Sequence, residues 1–528
     1  MRESGILMPV SSLPGPYGIG CFGKAAYQFV DFLAAAGQHI WQILPLSPTG
    51  YGDGPYQSCS AFAGNPYFID LEDLAAQGLL TKAQLAAEDW GKEPCTVDYG
   101  ALYTARYRVL RAAYAAWRDK CAGLYGCEHY YPDEFYAFTL SNEDWLEDYA
   151  LYMALKTAHR MTGWTQWPQP LRLRQPDALA AFRAENQEEV DFWKFLQFQF
   201  STQWQKLKAY ANGKGVQILG DIPIYVSADS VDAWTGGPLF ELDAEGGFAR
   251  VAGCPPDYFS AEGQLWGNPL YNWAFHQETG YAWWVRRVRH ALGIYDLLRI
   301  DHFRGFDSFY AIPYGAKTAK KGEWLKGPGI DLFKVMEKKI GKRNIVAEDL
   351  GFLTDSVKEM LAESGFPGMK ILEFAFDSRD DSGSEYLPYN YPKNSIAYAG
   401  THDNETIQGW FHSISPEDKK YACDFMDAYN PDEYNWEMMR TVIASPSDTS
   451  ILQAQDLLNL DSSARMNTPG KPSGNWTWRL TPGWLTDDIE GALTWLTKLY
   501  GRAPKPKKEE AETTESSETS AEAEQAFA

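Results

Sequence analysis

The chain has 528 residues, of which 45% are hydrophobic and 22% are charged, a composition typical of globular proteins and unlike that of disordered ones. No run approaches eighteen uninterrupted apolar residues, so no transmembrane helix is expected. Lys and Arg number 48 against 70 Asp and Glu, a formal net charge of −22, which repels polyanions and excludes nucleic acid as a partner.

The start of the chain and its cysteines predict a cytoplasmic protein. Residues 1–10 contain no apolar segment of signal-peptide length. The seven cysteines are odd in number and scattered. Because that spacing indicates neither a disulfide framework nor a zinc cluster, we expect reduced thiols.

In chain order, helical patterns alternate with short apolar runs. The helical patterns cover 25–36, 192–212, 282–291, 333–340 and 355–364, and the apolar runs cover 37–46, 216–221, 295–301, 344–349, 369–374 and 395–399. This alternation is typical of right-handed βαβ units with parallel strands. Because several runs end in charged residues, the pattern predicts an α/β fold of the (β/α)8 TIM-barrel class, with its active site at the carboxyl ends of the strands.

Two stretches interrupt the alternation and are expected to form subdomains around the active-site face. Residues 75–187 are helical and rich in Ala and aromatic residues, whereas residues 225–273 are rich in Gly, Pro and loop signals. We therefore expect one catalytic barrel over 1–502, with a helical insertion at about 75–187 and a loop-rich insertion at about 225–273. Residues 503–528 carry three Lys and seven Glu, a net charge of −4, and are expected to be a disordered acidic tail.

The aromatic content favours a carbohydrate substrate. There are 20 Trp, 31 Tyr and 27 Phe, and many stand beside Gly, Pro, Asn or Asp in loop-like strings such as 50–56 and 264–271. Rings in such strings supply large, rigid contact area at a small entropic cost. Local packing explains any single ring equally well, but the density of rings across the chain favours sugars, whose C–H faces stack on them.

The apolar run 295–301 contains the first candidate catalytic group. Arg299 and Asp301 are two residues apart and share a strand face. The guanidinium is expected to lower the pKa of Asp301 and keep it ionised, which attack on an anomeric carbon requires. From this segment alone, a nucleophile and a structural ion pair are equally good interpretations.

The run 344–349 also ends in acids. Glu348 shares a strand face with Val346, whereas Asp349 lies on the other face and is expected to make a loop-capping contact. Apolar neighbours and a nearby carboxylate are expected to raise the pKa of Glu348. A raised pKa suits a general acid that must hold its proton near neutrality.

The third candidate is the polar string 398–405. His402 and Asp403 cannot both point inward from a regular strand, so they are expected to lie on a turn. Metal ligation is the weaker interpretation, because no second His or Cys cluster has the spacing to complete a site.

Three carboxylates at three strand ends are more specific than any one of them, and a pair about 5–5.5 Å apart is the arrangement of retaining glycosidases. The sequence resembles the 4-α-glucanotransferase family, the amylomaltases or disproportionating enzymes, which is related to the α-amylase superfamily. The resemblance runs from SLPGPYGIG at 12–20 to GNWTWR at 474–479 and covers essentially the whole chain except the tail.

The resemblance implies a role for each matching residue. Asp301 is expected to be the nucleophile, Glu348 the acid/base, and Asp403 the stabiliser of the oxocarbenium-like transition state. The residues expected to bind or orient the substrate are Arg299, which positions Asp301; His402, which hydrogen-bonds the reacting sugar; Asp221, a supporting acid; Tyr56, an aromatic platform; and Trp266 and Tyr258, rings of the acceptor loop at 251–271. Gly54, Cys59 and Cys254 depart from the family pattern without altering the three carboxylates.

The implied function is a 4-α-glucanotransferase that moves α-1,4-glucan segments from maltooligosaccharides, starch or glycogen to the 4-hydroxyl of glucose or another glucan, by a retaining double displacement. The alternatives are an α-1,4-glucan hydrolase, with the same carboxylates, and a non-catalytic glucan-binding protein, which has no use for all three carboxylates and Arg299. No cofactor, metal, nucleic acid or membrane is implied. The chain is expected to be a monomer or a homodimer.

Overall fold

The computed structural model describes residues 2–50, 52–125, 130–243, 245–256, 262–351, 353–378, 383–471 and 473–504. Its strands form two sheets. In chain order they are β1 (Glu3–Leu7), β2 (Ile40–Gln42), β3 (Gln217–Ile222), β4 (Arg250–Cys254), β5 (Gln264–Pro269), β6 (Leu297–Ile300), β7 (Ser308–Pro313), β8 (Glu323–Lys326), β9 (Ile345–Ala347), β10 (Gly368–Ile371), β11 (Ser395–Tyr398) and β12 (Thr449–Gln453).

Eight of these strands form a parallel barrel in the order β10-β11-β12-β1-β2-β3-β6-β9. Every neighbouring pair in that order is parallel. The two ends of the order meet where the Ala347 N–H donates to the Pro367 carbonyl at 3.0 Å, between β9 and the start of β10. The predicted (β/α)8 class is therefore confirmed.

Helices connect the barrel strands. In chain order, those of the described residues are α1 (Lys24–Ala35), α2 (Leu71–Ala76), α3 (Lys82–Ala86), α4 (Tyr99–Tyr125), α5 (Asp133–Ser141), α6 (Glu143–Ala158), α7 (Gln169–Arg172), α8 (Pro176–Glu185), α9 (Gln187–Gly213), α10 (Val231–Gly236), α11 (Trp273–Glu278), α12 (Ala282–Ile294), α13 (Ile330–Ile340), α14 (Asp355–Ser364), α15 (Ile407–Ser413), α16 (Pro416–Met426), α17 (Tyr434–Ala444), α18 (Ala454–Leu457) and α19 (Asp487–Leu499). Among them, none is both long enough and apolar enough to cross a membrane.

The helices around the barrel follow from local sequence. In α13 the buried residues Leu332, Phe333, Met336 and Ile340 recur at helical spacing and form one apolar stripe. The helix ends at Gly341, whose φ of +75° an L side chain rarely adopts. The stripe is part of the large core between helices and barrel, so α13 is fixed by burial on one side and by a glycine stop at its end.

The barrel interior is a packed apolar core. The side chains that meet there include Leu7, Ile40, Leu219, Val346, Ile371, Ile396 and Ile451. These residues come from seven of the eight strands, so the interior holds the strands in register and leaves the polar residues for the rim.

The stretches that interrupt the βα alternation contain their own structure. Between β2 and β3 the chain forms α2–α9, and the described part of 75–187 contains no β-strand. Residues 225–273, expected to be a loop-rich insertion, contain α10, β4 and β5. β4 and β5 belong to an antiparallel sheet of order β5-β4-β7-β8.

Six barrel strands overlap the predicted apolar runs, namely β2, β3, β6, β9, β10 and β11. β1 and β12 were not predicted. The expected strand at 369–374 is wrong beyond Ile371, because Leu372–Phe376 forms a 3-10 helix. Residues 505–528 of the expected disordered tail lie outside the described residues.

Candidate active site

Three barrel strands and the loop after a fourth bring the predicted polar residues to one rim. Asp221 lies near the end of β3, and Arg299 lies on β6 with Asp301 directly after it. Glu348 directly follows β9, and Asp403 lies on the loop after β11. Because the strands are parallel, their carboxyl ends face the same side of the barrel, so these five residues gather at that side.

Arg299 joins two of the acids. It pairs directly with Asp221 in the register of β3 and β6, and its Nη1 donates to Asp221 Oδ2 at 2.6 Å. Its Nη2 lies 3.1 Å from Asp301 Oδ1. The Arg299 and Asp221 side chains are 3% and 0% exposed, so the guanidinium forms a buried ion pair whose second branch orients Asp301.

The electrostatics of Asp301 differ from the expectation. Burial raises the pKa of Asp301, and the charges of Asp221 and Asp403 add to the rise, whereas Arg299 lowers it by less. The prediction that Arg299 holds this pKa down is therefore wrong. The reason is that desolvation of the carboxylate outweighs one favourable charge when other acids surround the group.

Glu348 occupies a pocket built by backbone donors. Its Oε2 accepts from the His302 N–H at 2.7 Å and its Oε1 from the Leu350 N–H at 3.1 Å. His302 has φ +53°, in the left-handed region, which a non-glycine residue adopts at a cost of roughly 1–2 kcal/mol. The chain therefore turns sharply just after Asp301, and this turn aims an N–H at Glu348.

Burial also raises the pKa of Glu348, and the Asp301 charge adds to the rise. The predicted direction is correct, but the responsible carboxylate is Asp301 and not the sequence neighbour Asp349. Asp349 instead accepts from the Met369 N–H at 2.6 Å and so fastens the end of β9 to β10. Arg299 contacts Asp301 directly and so favours ionisation of that carboxyl.

The third acid lies on a turn after β11, as expected. The Thr401 and Asn404 side chains bond within this turn, Thr401 Oγ1 to Asn404 Oδ1 at 2.8 Å. His402 Nε2 lies 3.4 Å from Asp403 Oδ2. Asn467, from the loop after β12, donates its Nδ2 to Asp403 Oδ1 at 2.6 Å. Two neighbours therefore fix the orientation of the Asp403 carboxylate.

Tyr56 links two parts of the site through its hydroxyl. The hydroxyl lies 2.8 Å from Asp221 Oδ2, to which it donates, and 2.8 Å from His402 Nε2. The Tyr56 and His402 rings are stacked, with centroids 5.3 Å apart. Because the single hydroxyl proton goes to the carboxylate, His402 Nε2 must be the donor in the second bond.

This assignment fixes the tautomer of His402. Burial lowers the pKa of His402, so the ring is neutral, and its proton is on Nε2. His402 Nδ1 is buried and has no hydrogen-bond partner among the described residues, which agrees with an unprotonated Nδ1. The site thus presents an N–H beside the Asp403 carboxylate.

Trp266 lies on the side of the rim where Asp301 stands. It lies on β5, and its ring stands perpendicular to the His302 ring with centroids 4.9 Å apart. The Tyr225 ring also lies near it, with centroids 6.4 Å apart. Tyr258, the other predicted ring of the acceptor loop, lies outside the described residues.

Three residues of the site were missed from the sequence. His302 supplies a backbone donor to Glu348, Asn467 holds Asp403, and the Trp476 ring lies 5.9 Å from Tyr56 and 6.0 Å from His402. His302 had a usable signal, since it directly follows Asp301 at a strand end. Asn467 and Trp476 follow β12, a strand that was not predicted, so no pattern linked them to Asp403.

Among the described residues, no group of three or more His, Cys, Asp or Glu side chains is arranged to hold a metal ion. The cluster at the rim is instead organised around Arg299, with proton donors and acceptors at the distances given above.

Comparison with known proteins identifies close relatives. A family model described as 4-alpha-glucanotransferase matches residues 8–486. The 4-alpha-glucanotransferase of Clostridium butyricum is 46% identical over 498 residues, which cover 94% of this chain and 100% of the relative. That of Thermus thermophilus is 44% identical over 511 residues, covering 95% and 99%.

Solved structures agree. The amylomaltase from Streptococcus agalactiae in complex with acarbose matches with a TM-score of 0.91 at 41% identity, covering 96% of this chain and 100% of its own. The amylomaltase from Corynebacterium glutamicum matches with a TM-score of 0.71 at 18% identity, covering 95% and 74%, and so supports the fold alone.

Proposed function

The chain belongs to the 4-alpha-glucanotransferase family, and from that premise we propose that Asp301, Glu348 and Asp403 carry its reaction. The protein is a retaining 4-α-glucanotransferase, not a hydrolase. Our proposal concerns the residues that act and the donors and acceptors on which they act. The observation that supports it most is the buried fork of Arg299, which ties Asp301 to Asp221 beside Glu348 and Asp403.

The first step forms a covalent intermediate. Asp301 attacks the anomeric carbon of the donor glucan, and the bond from that carbon to the 4-oxygen of the leaving glucan breaks. Glu348 gives its proton to that oxygen as it leaves. Its raised pKa keeps the proton available near neutrality, and the Arg299 contact orients the attacking oxygen of Asp301.

The second step reverses the roles. Glu348, now a carboxylate, takes the proton from the 4-hydroxyl of the acceptor glucan. The acceptor oxygen bonds to the anomeric carbon, and the bond to Asp301 breaks. Two inversions at one carbon retain the α configuration.

Asp403 and its neighbours hold the sugar during both steps. As the ring gains positive charge in the transition state, the Asp403 carboxylate stabilises it, and Asn467 keeps that carboxylate in place. We propose that His402 hydrogen-bonds the reacting sugar, for which its Nε2–H must turn from the Tyr56 hydroxyl to the sugar, and that the Tyr56 ring is the platform beneath the sugar. The two residues are fixed to each other by the hydroxyl bridge.

Transfer needs an acceptor that outcompetes water. A glucan 4-hydroxyl does so when the enzyme binds and orients it, since effective molarities of well-placed groups reach about 10⁵ M or more. Trp266 stands beside His302, next to the nucleophile, and we assign it to acceptor binding and to shielding the intermediate. Tyr258 has the same proposed role.

The natural substrates are proposed to be maltooligosaccharides and the outer chains of starch or glycogen, with glucose as the smallest acceptor. The Streptococcus agalactiae relative was solved with acarbose, and we propose that the same inhibitor occupies the rim of this chain. We place the enzyme in the cytoplasm, in agreement with the scattered cysteines, and expect a monomer or homodimer. A thiol titration of the native protein tests whether the cysteines are reduced, as the cytoplasmic location requires, and light scattering tests the oligomeric state.

The experiment that tests transfer is product analysis from maltotriose. Each transfer breaks one α-1,4 bond and makes another, so glucose and a ladder of longer maltooligosaccharides should form while the number of reducing ends stays constant. Trp266→Ala should slow transfer and raise the hydrolysed fraction, whereas Trp495→Ala, a change at an exposed tryptophan of α19, should alter neither. A Trp266→Ala enzyme with the wild-type ratio of transfer to hydrolysis would refute the acceptor role.

A further inference from the structure

Arg465, in the loop after β12, makes contacts that the proposed chemistry does not use. Its Nη2 donates to the Asp403 carbonyl at 2.7 Å, and its Nε donates to the Asn467 carbonyl at 2.7 Å. Its Nη1 lies 3.2 Å from Glu405 Oε2. All three nitrogens of the guanidinium are thus engaged, and two of them hold main-chain atoms of residues that touch each other.

Arg465 acts as a clamp between the loop that contains Asp403 and the loop that contains Asn467. Asn467 already joins the loop after β12 to the loop after β11, because its N–H donates to the His402 carbonyl at 3.1 Å and its side chain donates to Asp403 Oδ1 at 2.6 Å. Arg465 bridges the same two loops through their carbonyls. A planar, rigid fork fixes the separation of the two carbonyls better than a flexible ammonium does.

The surroundings explain why an arginine is needed. Two buried acids, Glu373 and Asp456, lie next to the turn of residues 401–405, which itself ends in Glu405; they are 5% and 1% exposed. Glu373 Oε2 accepts from Asn404 Nδ2 at 3.1 Å. Burial and the Asp456 charge raise the pKa of Glu373, and the Arg465 charge opposes the rise. The guanidinium therefore balances acids next to the turn as well as clamping it.

We propose that Arg465 is a positioning residue of the transferase, which holds Asp403 in its working orientation through Asn467. This inference rests on the proposed role of Asp403. Because Asp403 acts on charge that develops only in the transition state, loosening it should lower kcat far more than it changes KM. A misplacement of about 1 Å is enough to cost on the order of 100-fold in rate.

The test is a double-mutant cycle in the full-length enzyme. Arg465→Lys keeps the charge but loses the fork, and should lower kcat on maltotriose about 10- to 100-fold with KM changed less than about threefold. The cycle is measured with α-maltosyl fluoride as donor. Arg465→Lys introduced into the wild-type enzyme should lower the rate strongly. Introduced into the Asp403→Asn variant, it should lower the rate less than about threefold, because the carboxylate that it positions is already gone. Equal losses in both backgrounds would overturn the proposal.

The matched control is Arg502→Lys. Arg502 is also a buried arginine that clamps main-chain carbonyls, among them those of Ile443 and Glu3, each at 2.7 Å. Glu3 begins β1, so this clamp sits at the end of the barrel opposite the site. Arg502→Lys should lower thermal stability and leave kcat unchanged, which separates positioning from general stabilisation.

The remaining outcomes are also decisive. If Asp403→Asn alone keeps wild-type turnover, the proposed role of Asp403 has failed. If Asp403→Asn is inactive and Arg465→Lys is fully active, the positioning role has failed while the role of Asp403 stands. Should Arg465→Lys not fold, Arg465→Gln replaces it in the cycle, and if neither variant gives a native circular dichroism spectrum, Arg465 is a folding residue and the proposal is wrong.

Discussion

Replacing Tyr56 by Phe removes one hydroxyl and keeps the ring, so it separates the bridge between Asp221 and His402 from any stacking on the sugar. The lost bond to Asp221 is charge-assisted, a class worth about 1.5–3 kcal/mol. Asp221 Oδ1 already has no hydrogen-bond partner among the described residues, so the variant leaves this carboxylate with Arg299 as its side-chain partner. His402 loses the acceptor for its Nε2–H at the same time.

We therefore expect Tyr56→Phe to lower kcat/KM on maltotriose by about 10- to 150-fold, the range to which 1.5–3 kcal/mol corresponds. The assay is the initial rate of glucose release at several maltotriose concentrations, with thermal unfolding followed in parallel. Tyr56→Ala should lose more, because it also removes the ring.

The matched control is Tyr152→Phe. Tyr152 is buried in α6, and its hydroxyl donates to Asp229 at 2.7 Å; neither residue is among those assigned to the reaction. This change removes a bond of the same type, so it should cost comparable stability and leave kcat/KM intact. If Tyr56→Phe keeps more than half of the wild-type kcat/KM, the bridge does not organise the site and the reasoning is refuted.

Three further predictions concern stability and proton transfer. Burial raises the pKa of Asp456 to about 7. Between the ordinary pKa of an aspartate and pH 7, the folded state therefore holds a proton that the unfolded state has released. The free energy of unfolding falls as pH rises through this range, by about 1.4 kcal/mol per pH unit. Urea unfolding between pH 5 and 7 should show a shallower loss for Asp456→Asn than for wild type or for the surface control Asp424→Asn, and equal slopes would contradict this. Glu348→Gln should stop turnover of glucans, whose leaving oxygen needs a proton, yet keep formation of the covalent intermediate from an α-glucosyl fluoride; equal loss on both donors would make Glu348 structural. Truncation after Pro504 should leave activity and the thermal midpoint unchanged, whereas truncation after Gly501, which removes the Arg502 clamp, should lower the midpoint. A drop of several degrees after the Pro504 truncation would show that the tail packs on the body.

The barrel could be predicted from the sequence because the patterns that indicate its helices and strands are local. Helical stripes such as that of α13 and charged residues at strand ends can be read within ten residues. The strands that were missed, β1 and β12, are five residues long and mostly buried. A strand buried on both faces lacks the polar alternation that identifies strands. In β1 the chain also needs a glycine at position 5, because a Cβ there would lie only 2.3 Å from the Ile40 carbonyl oxygen.

The site could be predicted as a set of residues but not as an electrostatic system. Arg299 and Asp301 are only two residues apart in the sequence, and their closeness suggested a lowered pKa for Asp301. The main cause of the raised pKa is burial, which follows from the closed barrel. The charges that add to it, those of Asp221 and Asp403, lie about 80 and 100 residues away in the sequence. The same distance hid Asn467, which reaches Asp403 only because β12 stands beside β11.

The central claim is that Asp301 forms the bond to the sugar. We would incubate Glu348→Gln with 5-fluoro-α-glucosyl fluoride, digest the protein after rapid denaturation, and locate the added mass by tandem mass spectrometry. We expect one glycosylated peptide with the sugar on Asp301, and no adduct in Asp301→Asn treated in the same way. An adduct on Asp403, or on any other carboxylate, would contradict the assignment of the nucleophile.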